Sequence, residues 1–413
     1  MTPLSPTILQ NIKVVDLTQA LAGPTCSMYL GDMGADVIKI EQPGIGDVCR
    51  GWGPPFIEGE SGYFLSTNRN KRGLALDYTK PEGLEIFHRL LDDADVFLIN
   101  LPRQASLDKY GLSAEACLAR NPKLIHVSIT GFGRSGPYAD RSGFDIVAQA
   151  MGGLMELTGE PGDPPMRFPM AMADFSAGLY ALISVLAALL ARQHTAVGQA
   201  LDISLVESQL NWTSYLASNY WVSGNTPVKT GNQHPTITPY QPFKAGDGKW
   251  IVVAAGSERL WRKFCEVIHA DPSLVTHPLF ATNALRNVNR DQLTPILDEL
   301  LAARPAHEWV ELLNEAEIPG GPLYAVDEAL NDPHIQARRM IVEMEHPGLG
   351  LFKSLAFPGH FSGTPMSYRI APPRLGEHSD EIAAELGYDA AGIARLHEEG
   401  IITGLQERRG NGL

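Results

Sequence analysis

A doubly wound α/β domain on a mostly parallel sheet, joined to a smaller α+β domain, is the fold class this sequence predicts. Two observations carry that expectation. Short runs rich in Val, Ile and Leu alternate with helix-patterned segments through residue 129, and from about Pro227 the texture changes to shorter elements between Gly- and Pro-rich turns. Length agrees, since 413 residues leave room for two or three domains at roughly 100 to 200 residues each.

In chain order, the apolar run at 12–16 ends in Asp16 and is followed by Ala22-Gly23-Pro24 and a helical pattern to Met33. A second strand at 37–41 stops at Gln42-Pro43-Gly44, completing one βαβ unit. The Gly-, Pro- and Trp-rich loop at 44–62 is long for a compact domain, which marks it as functional. A third strand is expected at 73–77, then a helix to Leu91 with Pro81 in its first turn. Strands at 95–100 and 124–129 follow. Such a Rossmann-like sheet binds ligands beyond the carboxyl ends of its strands, here at 17–23, 41–44, 77–80, 100–103 and 130–136.

The centre of the chain places one acid in apolar surroundings: Asp174 precedes a segment, 177–191, that is apolar on every side and reads as a buried helix. That segment is interrupted by Ser184 and is shorter than the roughly 18 to 20 residues that span a bilayer, so a core helix and no membrane association are expected. Asp174 itself has two readings. It is either a helix N-cap, with Ser176 as a rival, or a carboxylate held ionised at a helix start and available as a nucleophile. The second domain is expected over 227–330, with helices at 259–268, 290–303 and 306–316. The first covers 1–226, and 331–413 returns to it.

Composition narrows the function. With 33 basic against 47 acidic residues the net charge is −14, which disfavours nucleic acid and anionic membranes as partners. An anionic ligand must therefore meet local basic residues, for which Arg69, Lys71, Arg72, Lys80, Arg103 and Lys109 are candidates. Cys26, Cys49, Cys117 and Cys265 share no metal-ligand or disulfide spacing, so no metal is expected and a reducing cytoplasm fits. The N-terminus lacks the look of a secretory or transit segment. Residues 16–23 hold one glycine where a dinucleotide fingerprint needs three, so NAD is not expected, and no P-loop, H-E-x-x-H or G-x-S-x-G occurs.

The order of several segments resembles the class III coenzyme A transferases, the formyl-CoA transferase type, over nearly the whole chain. Its carriers are Ala22-Gly-Pro24, residues 31–41, Asn70-Lys-Arg72, Thr130-Gly-Phe-Gly133, residues 143–149, Met172-Ala-Asp174 with Gly178-Leu-Tyr180, and Leu375-Gly-Glu-His378. The resemblance implies that Asp174 is the nucleophile, that coenzyme A enters as acyl-CoA substrate, and that the chain forms an interlocked homodimer. It also implies cofactor contacts at Leu21, Gln42, Leu76, Thr79, Asn100, Leu101 and Lys109, with the Asn70, Lys71 and Arg72 run and Lys80 beside them. Gln42 and Thr79 replace basic residues of the formyl enzyme, Leu21 replaces a glutamine, and residues 254–257 lack its repeated glycines, so formate and oxalate are not the expected substrates.

Phe144 stands where the family's racemase branch needs a histidine base, which favours acyl transfer over the racemase or isomerase alternative and over a silent CoA-binding homologue. The likeness is strongest to the dicarboxylate branch, the succinyl-CoA:glutarate and hydroxymethylglutarate transferases, through Asn219-Tyr220, residues 239–243, Gly256 and residues 344–347. Succinyl-CoA is then the expected donor. Substrate contacts are expected at Arg167, as anchor of a distal carboxylate with Arg50 and Arg69 as rivals, at Phe144 and Asp145, and at Gly231 and Gln233; backbone N–H groups of that glycine loop, or of the helix start after Asp174, are the expected oxyanion donors. With a reference pKa of about 3.9, Asp174 is expected to be ionised at neutral pH without a general base.

Overall fold

Short β-branched and Leu-rich runs that are apolar on both faces form the interior of a sheet covered on both sides, and this chain has five of them in sequence. The computed structural model describes residues 7–405; the outermost residues of the expected first and last segments, and with them part of the N-terminal targeting expectation, lie outside that range. The strands are β1 (Lys13–Leu17), β2 (Asp36–Glu41), β3 (Lys71–Leu76), β4 (Val96–Ile99) and β5 (Ile125–Thr130), each within two residues of its expected place. Two further strands, β6 (Gln199–Ser204) and β7 (Ile402–Thr403), complete a seven-stranded sheet in the order β7-β3-β2-β1-β4-β5-β6. All pairings are parallel except that of β7 with β3.

The winding reverses between β1 and β4. From β1 the chain builds outward through β2 and β3, then returns to place β4, β5 and β6 on the other side. The connections leaving β1 and β4 diverge there and open a crevice at the carboxyl edge of the sheet.

Helix α1 (Ala22–Asp32) is buried along its whole length. It lies against the long helix α4 (Met172–Thr195), and Gly178 is what lets them meet: a Cβ at that position would stand 2.5 Å from the Ala22 carbonyl oxygen. Helices α2 (Pro81–Asp92), α3 (Asp145–Met151) and α5 (Leu205–Asn211) complete the elements used below. At 24 residues, α4 is longer than the segment read from sequence and is long and apolar enough to cross a membrane by length and composition. Half of its most apolar window is nevertheless buried, with Ala173, Ala177, Ala181, Val185 and Ala188 inside the core.

Two compact units divide the chain, the first made of the residues up to Met155, Arg167–Ser218 and those from Gln336, the second of Glu156–Met166 and Asn219–Ile335. The boundaries at 226 and 330 thus shift to Ser218 and Ile335, and an excursion at Glu156–Met166 was not anticipated. The second unit is α+β: strands Tyr240–Lys244, Trp250–Ala254 and Gly320–Pro322 form an antiparallel sheet, with Trp261, Phe264, Leu293, Leu297 and Trp309 in the core beside it.

Helix propensity and packing make opposite predictions for Gly178→Ala. Propensity alone favours Ala by about 1 kcal/mol, but the methyl group meets backbone, which cannot give way as a side chain can. Net destabilisation of about 1–3 kcal/mol is expected in chemical denaturation; an unchanged or raised midpoint would show that α1 and α4 are not locked at this point.

Candidate active site

The carboxyl end of β1 is built on charges that never reach solvent. Asp16 is fully buried and accepts hydrogen bonds from Thr18 N at 2.8 Å, the Thr18 hydroxyl, Ser27 Oγ at 2.6 Å and Lys71 Nζ at 3.2 Å. Lys39 Nζ donates to Thr18 O at 2.9 Å and to Asp47 Oδ2 at 2.8 Å. Asp47 Oδ1 in turn accepts from Ala20 N at 3.0 Å. Across the crevice Asn100 exchanges two hydrogen bonds with the Gln19 backbone, at 3.1 and 2.9 Å. The turn from Thr18 to Leu21 is therefore held from four sides, with Ala20 at a positive φ of 68°. Burial would push the Asp16 carboxyl up, but Lys71 and Lys39 outweigh it and hold it at about 2.

The expected N-cap, Asp174, lies three residues past the observed one, Ala171. Helix α4 begins at Met172, so Asp174 sits within its first turn, and no group among the described residues donates to its carboxylate. The capping is done by Asp145 at the start of α3, whose Oδ1 accepts from Ala173 N at 2.9 Å. Gln149, one turn along, donates to Asp145 Oδ2 at 2.7 Å and to Met170 O at 3.2 Å and accepts from Phe168 N at 2.9 Å. Ser176, the rival cap, donates back to Met172 O. Half-buried in the cleft wall, the Asp174 carboxyl is pushed up to about 7, by loss of water first and by the nearby Asp145 charge second. The expectation of an ordinary, fully ionised acid at neutral pH gives way accordingly. Asp145 accepts from the Ala173 N–H at the helix start, and no such donor among the described residues reaches the Asp174 carboxylate.

Asp174 lines a cleft of about 360 Å³ at the switch between β1 and β4. Its walls come from three strand ends, with Gln19 to Ala22 after β1, Asn100 to Pro102 after β4 and Thr130 and Gly131 after β5. Val48 and Trp52 from the long loop, Ser142 to Phe144, and Leu205 close it. Gly131 and Gly143 touch backbone to backbone, since a Cβ on either would lie within 2.6 Å of the other's Cα. Tyr63 packs edge-on against Trp52 at 4.9 Å, and its hydroxyl is pushed up by burial and then by Asp174.

Of the residues expected at the ligand, Leu21, Asn100, Leu101, Phe144 and Asp174 meet in this cleft. Gln42 and Thr79 are exposed just beyond β2 and β3, and Lys109 is exposed on the helix Gln104–Tyr110, over the Tyr110 ring. Lys80 Nζ donates to the carbonyls of Glu399 and Gly400, and Leu76 is wholly within the core.

Asn70, Lys71 and Arg72 lie at or before the amino end of β3, away from the ligand edge. Asn70 binds Asp32 and the Ser367 carbonyl, Lys71 is fully buried beside Asp16, and Arg72 is shared among Asp36, Glu381 and Glu385. Burial pulls the Lys71 amine down to about 8, against the pull of Asp16. Asp145 is a helix cap, and Arg167 is exposed outside the cleft lining. Its rivals are committed elsewhere, Arg50 to Glu41 and Glu60 and Arg69 to Asp32. Gly231 and Gln233 belong to the second unit, where Gln233 Oε1 accepts from Arg290 at 2.9 Å. Among the described residues that line the cleft, none is basic. Sequence reasoning named the strand ends and the long loop but missed Gln19, Trp52 and Ser142 individually, and took Gln149 only as part of a motif; the glycines at 131 and 143 were the available signal for close loop packing. Among the described residues no cluster of His, Cys, Asp and Glu could hold a metal.

The sequence profile of CoA-transferase family III matches residues 9–379. The chain belongs to CoA-transferase family III. It is a CoA-transferase, acting between an acyl-CoA and an acid. It is 38% identical over 95% of its length to succinyl-CoA:glutarate CoA-transferase of Homo sapiens, covering 90% of that protein. It is 33% identical to succinyl-CoA–D-citramalate CoA-transferase of Chloroflexus aurantiacus, over 96% of this chain and 98% of that one. A crystal structure of a CAIB/BAIF family protein from Brucella suis superimposes with a TM-score of 0.83 at 40% identity, covering 92% of this chain and 99% of that one.

Replacing Asp145 with Asn leaves an oxygen for the Ala173 N–H but removes the charge that faces Asp174. The transferase should then ionise Asp174 at lower pH, moving the acid limb of its kcat/KM profile down while leaving it above the usual carboxylate range, because burial is the larger cause. A limb that stays in place would remove Asp145 from the electrostatics of Asp174.

Proposed function

We propose that this transferase moves CoA from succinyl-CoA to a second dicarboxylate through covalent intermediates on Asp174. The observation that carries the reading is the placement of an unpaired, elevated carboxyl in the wall of the switch-point cleft. A carboxylate with a raised pKa is the more basic and hence the better nucleophile once ionised. Its oxygen attacks the thioester carbonyl carbon, the C–S bond breaks, and an aspartyl-acyl anhydride forms with CoA thiolate. The thiolate attacks the Asp174 carbonyl carbon and expels the donor acid, leaving an aspartyl-CoA thioester. The acceptor carboxylate attacks that thioester, and the returning thiolate takes the new acyl group and restores Asp174.

Each tetrahedral oxyanion needs a donor. The Asp174 N–H has no acceptor among the described residues and is the nearest candidate at the helix start. Leu21, Val48, Trp52 and Leu101 supply apolar walls that limit hydrolysis of the anhydride. The substrate class rests on relatives that use succinyl-CoA with glutarate or D-citramalate. Phe144, 70% exposed at the cleft, supplies no base for a racemase. Exposed Ile183 and Leu190 on α4 support an interlocked homodimer, and four buried free thiols are compatible with a reducing cytoplasm.

The test is a panel of acceptor acids with succinyl-CoA as donor, read by mass spectrometry, with Asp174→Asn as control. CoA transfer to dicarboxylates is expected with the wild type, and exchange should fall at least about 1,000-fold in the variant while CoA binding persists. The variant should also be more stable than wild type above pH 7. A raised pKa makes folding costly once the unfolded carboxyl ionises, so the gain disappears as pH falls to the usual carboxylate range. Absence of transfer to any dicarboxylate would reject the substrate class, and retained exchange would return Asp174 to a structural role.

Arg167, exposed and only seven residues before Asp174, is our candidate for the distal carboxylate, since Arg50 and Arg69 are buried in ion pairs. Arg167→Ala should reduce the preference for dicarboxylate over monocarboxylate acceptors by up to about tenfold. Unchanged selectivity would assign the anchor elsewhere.

A further inference from the structure

One arginine near the cleft is bonded to its structure without any ion pair. Arg134 follows β5, and its guanidinium donates in three directions: Nε to Ser128 Oγ at 2.6 Å, Nη1 to Pro102 O at 3.0 Å and Nη2 to Leu101 O at 2.6 Å. Its backbone N–H donates to Asp202 Oδ2 at 2.7 Å, on the neighbouring strand β6. Leu101 and Pro102 form the wall of the cleft after β4, and Thr130 and Gly131 form the wall after β5. The same turn is braced internally, with Gly133 N donating to Thr130 Oγ1 at 3.0 Å and Gly133 at a φ of 84° that favours glycine. One planar fork thus ties two walls of the site to each other.

We propose that Arg134 is a positioning residue for acyl-CoA, fixing the Leu101–Pro102 wall against the β5 turn so that the cleft keeps its width. The inference rests on the reading of this cleft as the acyl-CoA site. A planar guanidinium can reach two successive carbonyls and a hydroxyl at once, which a lysine ammonium on a flexible stem cannot do in the same geometry. All three acceptors are neutral, so the guanidinium is held by geometry and not by a contact ion pair, with Asp202 the acid that bears on its charge, behind the wall of a cleft whose own described lining holds no basic residue. Burial lowers its pKa and Asp202 opposes that, which accords with a cation retained in a partly dry place.

Arg134→Gln and Arg134→Lys separate the geometric role from charge alone. The KM for acyl-CoA should rise about tenfold in both, with kcat at saturation within about threefold and the KM for the acceptor acid unchanged. Full rescue by Lys, or an acyl-CoA KM within about twofold of wild type in the Gln variant, would overturn the proposal. So would equal losses in kcat and both KM values with a lowered melting temperature, the pattern of a merely structural residue. Should either variant fail to fold, Ser128→Ala removes one acceptor only and should raise the same KM by about threefold; no rise would count against the clamp. Calorimetry with free CoA distinguishes the two levels of argument. Wild type that does not bind CoA refutes the site, whereas wild type and variants that bind equally refute Arg134 alone.

Discussion

The site depends on a turn that has no freedom left. Between Thr18 and Leu21 the backbone is gripped by Asp16, Lys39, Asp47 and Asn100, and three of those four are charges without solvent contact. Removing one partner from such a network strands the other in a low-dielectric interior, which costs about 3–5 kcal/mol. Replacing both by apolar residues could preserve stability, but it would release the turn. The ions are better understood as fixing geometry than as supplying stability. They reach further through Glu41, which accepts from Asp47 N and binds Arg50, so the long loop carrying Val48 and Trp52 to the cleft is tied to the same set.

Two carboxyls within this unit show how environment divides roles. Asp16 is more deeply buried than Asp174, yet it stays near 2 because two ammonium groups and several donors surround it, while Asp174 rises to about 7 with no donor and another acid near it. Burial by itself therefore decides nothing; the partners do. A carboxylate tied like Asp16 would be useless as a nucleophile, since its lone pairs are occupied. Asp145 takes the hydrogen bond that a capping residue at the start of α4 would have used, and Asp174 is left available.

Much of the fold was legible because the five inner strands of the large unit are apolar on both faces and separated by recognisable turns. The sixth, Gln199–Ser204, mixes exposed polar and apolar residues at a sheet edge, and the seventh is two residues long, so neither carries a periodic signal. Asp174 was legible as an acid at a helix start, but not its environment, because Asp145 reaches it from 29 positions away in sequence. The basic run at 69–72 misled for a topological reason. Charge density along the chain does not say which end of a strand it occupies, and these residues lie at the amino end, where carboxylates of α1, β2 and the C-terminal segment neutralise Arg69 and Arg72, while the Lys71 amine reaches Asp16 in the interior.

An anionic ligand entering a cleft without basic lining must be stabilised by oriented dipoles and by cations behind the wall. Helix α1 begins at Ala22 in that wall, with no side-chain cap at Leu21, so the positive end of its dipole faces the cleft. Such diffuse potential suits the role proposed for Asp174, which must itself become negative. A lysine or arginine in contact with Asp174 would pull its pKa down and form an ion pair with it, as Lys71 does with Asp16. Keeping formal cations out of the lining lets the site attract an anion while its own carboxyl remains elevated and unpaired, and the acid character of the whole chain is then no obstacle to binding.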